Sequence, residues 1–86
     1  MLGRLIIIMR GISSGYDFVE PMILNILKKS MVSMSTLAIN YKVNEAAGRT
    51  INLNVIKNCL IFLVRNKKIF ESLNKENDVT YYKLIV

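Results

Sequence analysis

Histidine and tryptophan are absent from this sequence of 86 residues, and cysteine and proline occur once each. Without histidine the chain lacks the commonest general base at neutral pH and the commonest zinc ligand. The single cysteine, Cys59, rules out an intrachain disulfide framework, and it leaves no ligand set for a structural zinc site. Its neighbours, Cys59-Leu60-Ile61-Phe62-Leu63-Val64, read as a packed helix, so Cys59 is expected to be a small core hydrophobe. A reactive thiol would want a basic, exposed setting. The four glycines, at positions 3, 11, 15 and 48, are too scattered for a phosphate-cradling loop. Negative charge is sparse as well. Asp17, Glu20, Glu45, Glu71, Glu76 and Asp78 are dispersed and read as caps or surface groups. No nucleophile–base pair can be assembled from them, so enzymatic chemistry, a cofactor and a small-molecule substrate are not expected. The apolar run at 5–9 is too short to span a bilayer. Its flanking cations, Arg4 and Arg10, are too few to anchor it to a membrane surface.

What the chain does have is apolar mass and positive charge. Hydrophobic residues make up 52% of it, the mean hydropathy is +0.35, and 12 Lys+Arg against 6 Asp+Glu give a net charge of +6. A small basic domain attracts polyanions. The apolar content exceeds what a domain of this size hides easily, so either the core is unusually rich or some of this surface meets a partner chain.

Along the sequence, Leu5 to Met9 reads as an Ile-rich strand and residues 11–16 as a loop. Asp17 and Glu20 have capping-box spacing, and Pro21 suits a first helical turn. Phe18, Val19, Met22, Ile23, Ile26 and Leu27 then fall on one helical face, and Lys28 and Lys29 favour the helix C-terminus, giving a helix over 18–29. Residues 30–33 form a short extended break, and Ser33 or Ser35 caps a short helix over 36–41 in which Leu37, Ala38 and Tyr41 face inward. Residues 43–49 form a connection around Gly48. Thr50 caps the longest helix, over 51–67, whose core stripe is Ile56, Cys59 or Leu60, and Leu63, with Leu53 or Ile51 at the start. Its first half carries Asn52, Asn54, Lys57 and Asn58. Its second half, with Ile61, Phe62 and Val64, is apolar nearly all round and is expected to be buried on more than one side. Ile69 to Leu73, a polar turn over 74–78 and Val79 to Val86 make a hairpin, with Tyr82 and Leu84 on one face and Tyr81 and Lys83 on the other.

Three segments in this order carry a resemblance: Ser35-Thr36-Leu37-Ala38 opening the second helix, Leu63-Val64-Arg65-Asn66-Lys67-Lys68-Ile69 joining the third helix to a strand, and Tyr81-Tyr82-Lys83-Leu84 in the last strand. Over residues 17–86 the chain resembles the winged helix-turn-helix DNA-binding family, and its bias toward Ile, Lys and Asn without Trp is similar to that of small proteins of archaea and their viruses. The resemblance implies an α+β fold of three helices plus a C-terminal β-hairpin wing, preceded over 1–16 by an optional N-terminal strand and loop. The stretch 43–49 is longer than the family's usual turn, and Lys67-Lys68 stands where the family often has Gly-Leu. The resemblance further implies that the third helix enters the major groove of duplex DNA and presents Arg49, Thr50, Asn52, Asn54, Lys57 and Asn58, with Lys42 and the wing-tip Lys75 on the backbone. An Asn-rich face leans toward adenine.

Large apolar residues at Ile61 and Phe62, with Ile7 and Ile85, are expected to form an isologous homodimer interface, placing two reading helices on half-sites of a pseudo-palindrome. The expected role is cytoplasmic transcriptional regulation. The competing expectation is a protein-interaction or assembly module that uses the apolar face around Ile61 and Phe62.

Overall fold

A computed structural model describes residues 17–85. Within them, three helices pack against a three-stranded antiparallel sheet, an α+β arrangement. The expected strand over 5–9 and the interface residue Ile7 lie outside the described residues.

Helix α1 (Val19–Ser30) forms as its pattern dictates: Val19, Ile23 and Leu27, four residues apart, are buried along one stripe. Glu20 in the first turn and Lys28 and Lys29 in the last complement the helix dipole. The expected capping box is not formed. Phe18 occupies the N-cap in a helical conformation with no side-chain cap, which leaves Asp17 one residue outside the helix. The helix continues through Ser30, whose hydroxyl lies 3.2 Å from the Leu27 carbonyl and 2.8 Å from that of Val32, and Met31 ends it with a left-handed φ of 60°.

After the two-residue strand β1 (Met34–Ser35), Ser35 caps helix α2 (Thr36–Ala47), accepting from the Ala38 N–H at 3.2 Å. This helix runs six residues past the expected end at Tyr41, because nothing in Lys42 to Ala47 breaks it. Gly48, at φ 72°, stops it in the left-handed conformation that glycine adopts most readily. The connection is therefore 48–52, not 43–49. The inward face also differs from expectation. Ile39 and Val43 are buried, while Leu37 and Tyr41 on the opposite side are 68% and 65% exposed, and Ala38 lies between.

Ile51 plugs the core before helix α3 (Leu53–Arg65) begins. Asn52, not Thr50, is the N-cap: its Oδ1 accepts from the Asn54 N–H at 2.7 Å and its carbonyl accepts from Val55. Ile56, Leu60 and Leu63 are buried, Cys59 is half-buried against them, and Leu53 is half-buried. The helix stops at Arg65 rather than 67. Lys67 turns left-handed at φ 59°, and the Lys68 N–H closes back on the Leu63 carbonyl at 3.0 Å.

Strands β2 (Ile69–Asn74) and β3 (Val79–Leu84) form the hairpin, with Ile85 already outside the strand and Val86 outside the described residues, and β3 lies in the middle of the order β1-β3-β2. The register pairs Ile69 with Leu84, Glu71 with Tyr82 and Ser72 with Tyr81, and pairs Met34 of β1 with Tyr82. Tyr82 and Leu84 pack on the core from one face, while Tyr81 and Lys83 take the other, as period-two alternation requires. Val19, Ile23, Leu27, Ile39, Val43, Ile51, Ile56, Leu60, Leu63 and Ile69 make up this core. Each such side chain contributes about 1.5–3 kcal/mol on burial.

Candidate functional site

With Ile56, Leu60 and Leu63 turned inward, the opposite side of α3 is an unbroken exposed stripe. It runs Asn54, Lys57, Asn58, Ile61, Phe62, Arg65, at spacings of three and four residues. The polar half and the apolar half anticipated from the sequence are thus successive turns of one face. Ile61 and Phe62 are 53% and 50% exposed, so the second half of the helix is buried on one side rather than all round.

The stripe borders an open groove of about 430 Å³, whose walls include Thr36 and Leu37 from the start of α2, Lys57 and Ile61 from α3, and Thr80 and Tyr81 from β3. The sheet register holds the β3 wall in place, because Ser35 pairs with Tyr81 and the start of α2 is therefore tied to the hairpin. The Tyr81 hydroxyl accepts from Asn77 Nδ2 at 3.1 Å, which links this wall to the hairpin turn. Leu37 of α2 and Lys57 and Ile61 of α3 are exposed along it, Thr80 and Tyr81 of β3 are half-buried, and Lys57 supplies the positive charge.

The remaining site candidates are distributed around this surface, not on it. Asn52 is committed to its helix cap through Oδ1. Arg49 lies with its guanidinium 5.3 Å from the centre of the Phe18 ring, a cation–π distance that ties the connection to the start of α1. Arg49 and Thr50 share a separate depression with Tyr41, Asn44 and Glu45. Lys42, expected at the end of the second helix, lies in its interior. It borders Ile26, Lys29 and Met34 beside α1, and its Nζ is 3.9 Å from Glu45. That exposed pair contributes little. Lys75 is at the hairpin turn, where the Glu76 N–H donates to Asn74 Oδ1 at 2.9 Å and Asp78 takes φ 57°. Ile85 lines a depression of about 460 Å³ with Leu24, Lys28, Lys67 and Lys68, just past the C-terminal end of α3.

Two residues that position the stripe were not anticipated. Asn40 Nδ2 donates to the Ile51 carbonyl at 3.1 Å, and the Ile51 N–H donates to Asn44 Oδ1 at 2.7 Å. The Asn44 carbonyl also accepts from Gly48 and Arg49. These two asparagines, one turn apart on α2, hold both backbone groups of the residue that leads into α3 and so fix where α3 starts. Their signal was an Asn–x–x–x–Asn pair followed by a glycine, legible only once α2 is known to extend that far.

Cys59 is half-buried, and its thiol is pushed above the ordinary range, first by burial and then by the negative charge of Glu20. It stays protonated near neutrality and is not a nucleophile there. Among the described residues, no group of acids or cysteine could hold a metal ion, and no helix is long and apolar enough to cross a membrane. No family model matches the chain, and neither does any curated protein or solved structure, so the reading of this surface rests on its own residues.

Proposed function

We propose that this chain is a winged helix-turn-helix domain that binds duplex DNA in a sequence-dependent way and acts as a small transcriptional regulator. In this reading α3 is the reading helix and the β2–β3 hairpin is the wing. The observation that carries it is the exposed stripe Asn54, Lys57, Asn58 at the N-terminal half of α3, flanked on one side by the start of α2 and the hairpin. That is the half of a reading helix that meets base edges. Asparagine suits adenine, and lysine suits guanine or phosphate. The net charge of +6 supplies the non-specific attraction that brings a duplex to the surface.

Fluorescence anisotropy of a labelled mixed-sequence duplex, titrated with protein at several salt concentrations, tests the proposal. The expected result is micromolar binding whose logarithm falls by about 0.9 per phosphate contact for each unit of log salt. Lys57→Glu, on an exposed position, is expected to weaken binding at least about tenfold without altering the melting temperature. Absence of binding by folded protein at low salt would overturn the proposal.

A second reading, self-association or protein contact through the apolar half of the same stripe, has one observation in its favour: Ile61 and Phe62 are half exposed and adjacent. Sedimentation of the wild type against Phe62→Glu measures it. A dimer that dissociates on this substitution supports self-association, and a wild-type monomer removes it.

A further inference from the structure

The exposed stripe of α3 changes from polar to apolar between Asn58 and Ile61, three residues apart and therefore neighbours on the helix surface. Ile61 is 53% exposed and Leu37, on the α2 wall of the same groove, is 68% exposed. Two branched aliphatic side chains held in water beside Lys57 gain free energy from whatever covers them. The distance from Asn54 to Ile61 along the helix is about 10 Å, which matches about three base-pair steps of ~3.4 Å. In the major groove, an A·T pair sets adenine N6 and N7 beside the C5-methyl of thymine. Asparagine matches the first pair of groups, and an aliphatic side chain matches the methyl.

We propose, on the DNA-binding reading above, that Ile61 and Leu37 contact thymine C5-methyl groups next to adenines met by Asn54 and Asn58, so that this surface selects A·T base pairs through the major groove. Lys57 lines the groove with Ile61 and Leu37, and lysine is depleted from the centres of protein–protein interfaces. A duplex suits that mixture of cation, amide and aliphatic groups better than a protein surface does. Phe62, at the opposite edge of the stripe, is not among the residues lining the groove and has no part in this contact.

The test compares two labelled duplexes of identical A·T-rich sequence, one with thymine and one with uracil at every such position. Pairing and charge are unchanged and only the methyl groups are lost. The full-length protein is expected to bind the uracil duplex more weakly, by about fourfold per covered methyl. With one methyl under each aliphatic side chain the loss is roughly tenfold or more. Ile61→Ala, at a solvent-facing position that leaves the core intact, is expected to bind the thymine duplex more weakly and to shrink the difference between the two. Equal, salt-sensitive binding of both duplexes by the wild type would overturn the methyl contact and leave DNA binding standing. Full discrimination retained by Ile61→Ala would overturn the role of that residue. No binding of either duplex would overturn the DNA-binding reading, and this inference with it.

Discussion

Replacing Asn44 with alanine removes the acceptor that the Ile51 N–H reaches at 2.7 Å. Ile51 is 1% exposed, so its amide has little access to water when the acceptor is gone. An orphaned buried donor costs about 1–3 kcal/mol. Alanine is the better helix former, which returns about half a kcal/mol at a position inside α2. The net loss is then about 1–2 kcal/mol, or a fall in melting temperature of roughly 5–15 °C for a domain of this size. Thermal denaturation followed by circular dichroism reads it directly. Asn44→Asp keeps an acceptor at the same place and is expected to retain most of the stability. A change under about 2 °C for Asn44→Ala would refute the reasoning, since it would mean that the turn holds without this bond and that the start of α3 is fixed by packing around Ile51 instead. The same variant links stability to function. If Asn40 and Asn44 aim α3, duplex affinity should fall even below the melting transition, where the protein is still folded.

Gly48→Ala should destabilise by about 1 kcal/mol, because the left-handed φ of 72° penalises a Cβ although nothing lies within 4 Å of where it would point. Equal melting temperatures for wild type and variant would contradict this. Cys59 should react slowly with a thiol reagent near neutral pH in the folded protein and rapidly once unfolded. Its pKa is raised on folding, so the native state keeps the proton that the unfolded chain gives up. The associated stability is complete below about pH 8.5. It declines as pH rises from there through the folded-state value. Urea midpoints measured from pH 7 to 10 check the sign, and Cys59→Ala should remove the pH dependence contributed by this group.

Helix α1 and the hairpin were legible in the sequence because each is specified by local pattern. Val19, Ile23 and Leu27 repeat every four residues, Pro21 and the two terminal lysines mark the ends, and the polar segment 74–78 separates two strand-like runs. The expected bounds, 18–29 and 69–73, lie within a residue of those observed. The order of elements and the exposed polar turn of α3 were legible for the same reason. Three features were not. Thr50 and Asn52 are both acceptable caps, and the choice fell to Asn52 because Ile51 has to reach the core before the helix begins. Lys42 to Ala47 have no strong signal of either kind, so the length of α2 depended on where a left-handed glycine was available.

The face of α2 is the clearest case. Leu37 and Tyr41 form one apolar pair four residues apart, and Ile39 and Val43 form another on the opposite side. Helical periodicity ranks them equally, since it records spacing and not direction. Which pair turns inward is decided by the surfaces of α1 and α3 that α2 has to cover, and those are assembled from residues far away in the chain. The kinds of elements, their order and the polar character of the first turns of α3 were therefore set by local pattern in the chain. Tertiary packing alone decided that Leu37 would be left in solvent, and that it would share a groove with Lys57 and Ile61.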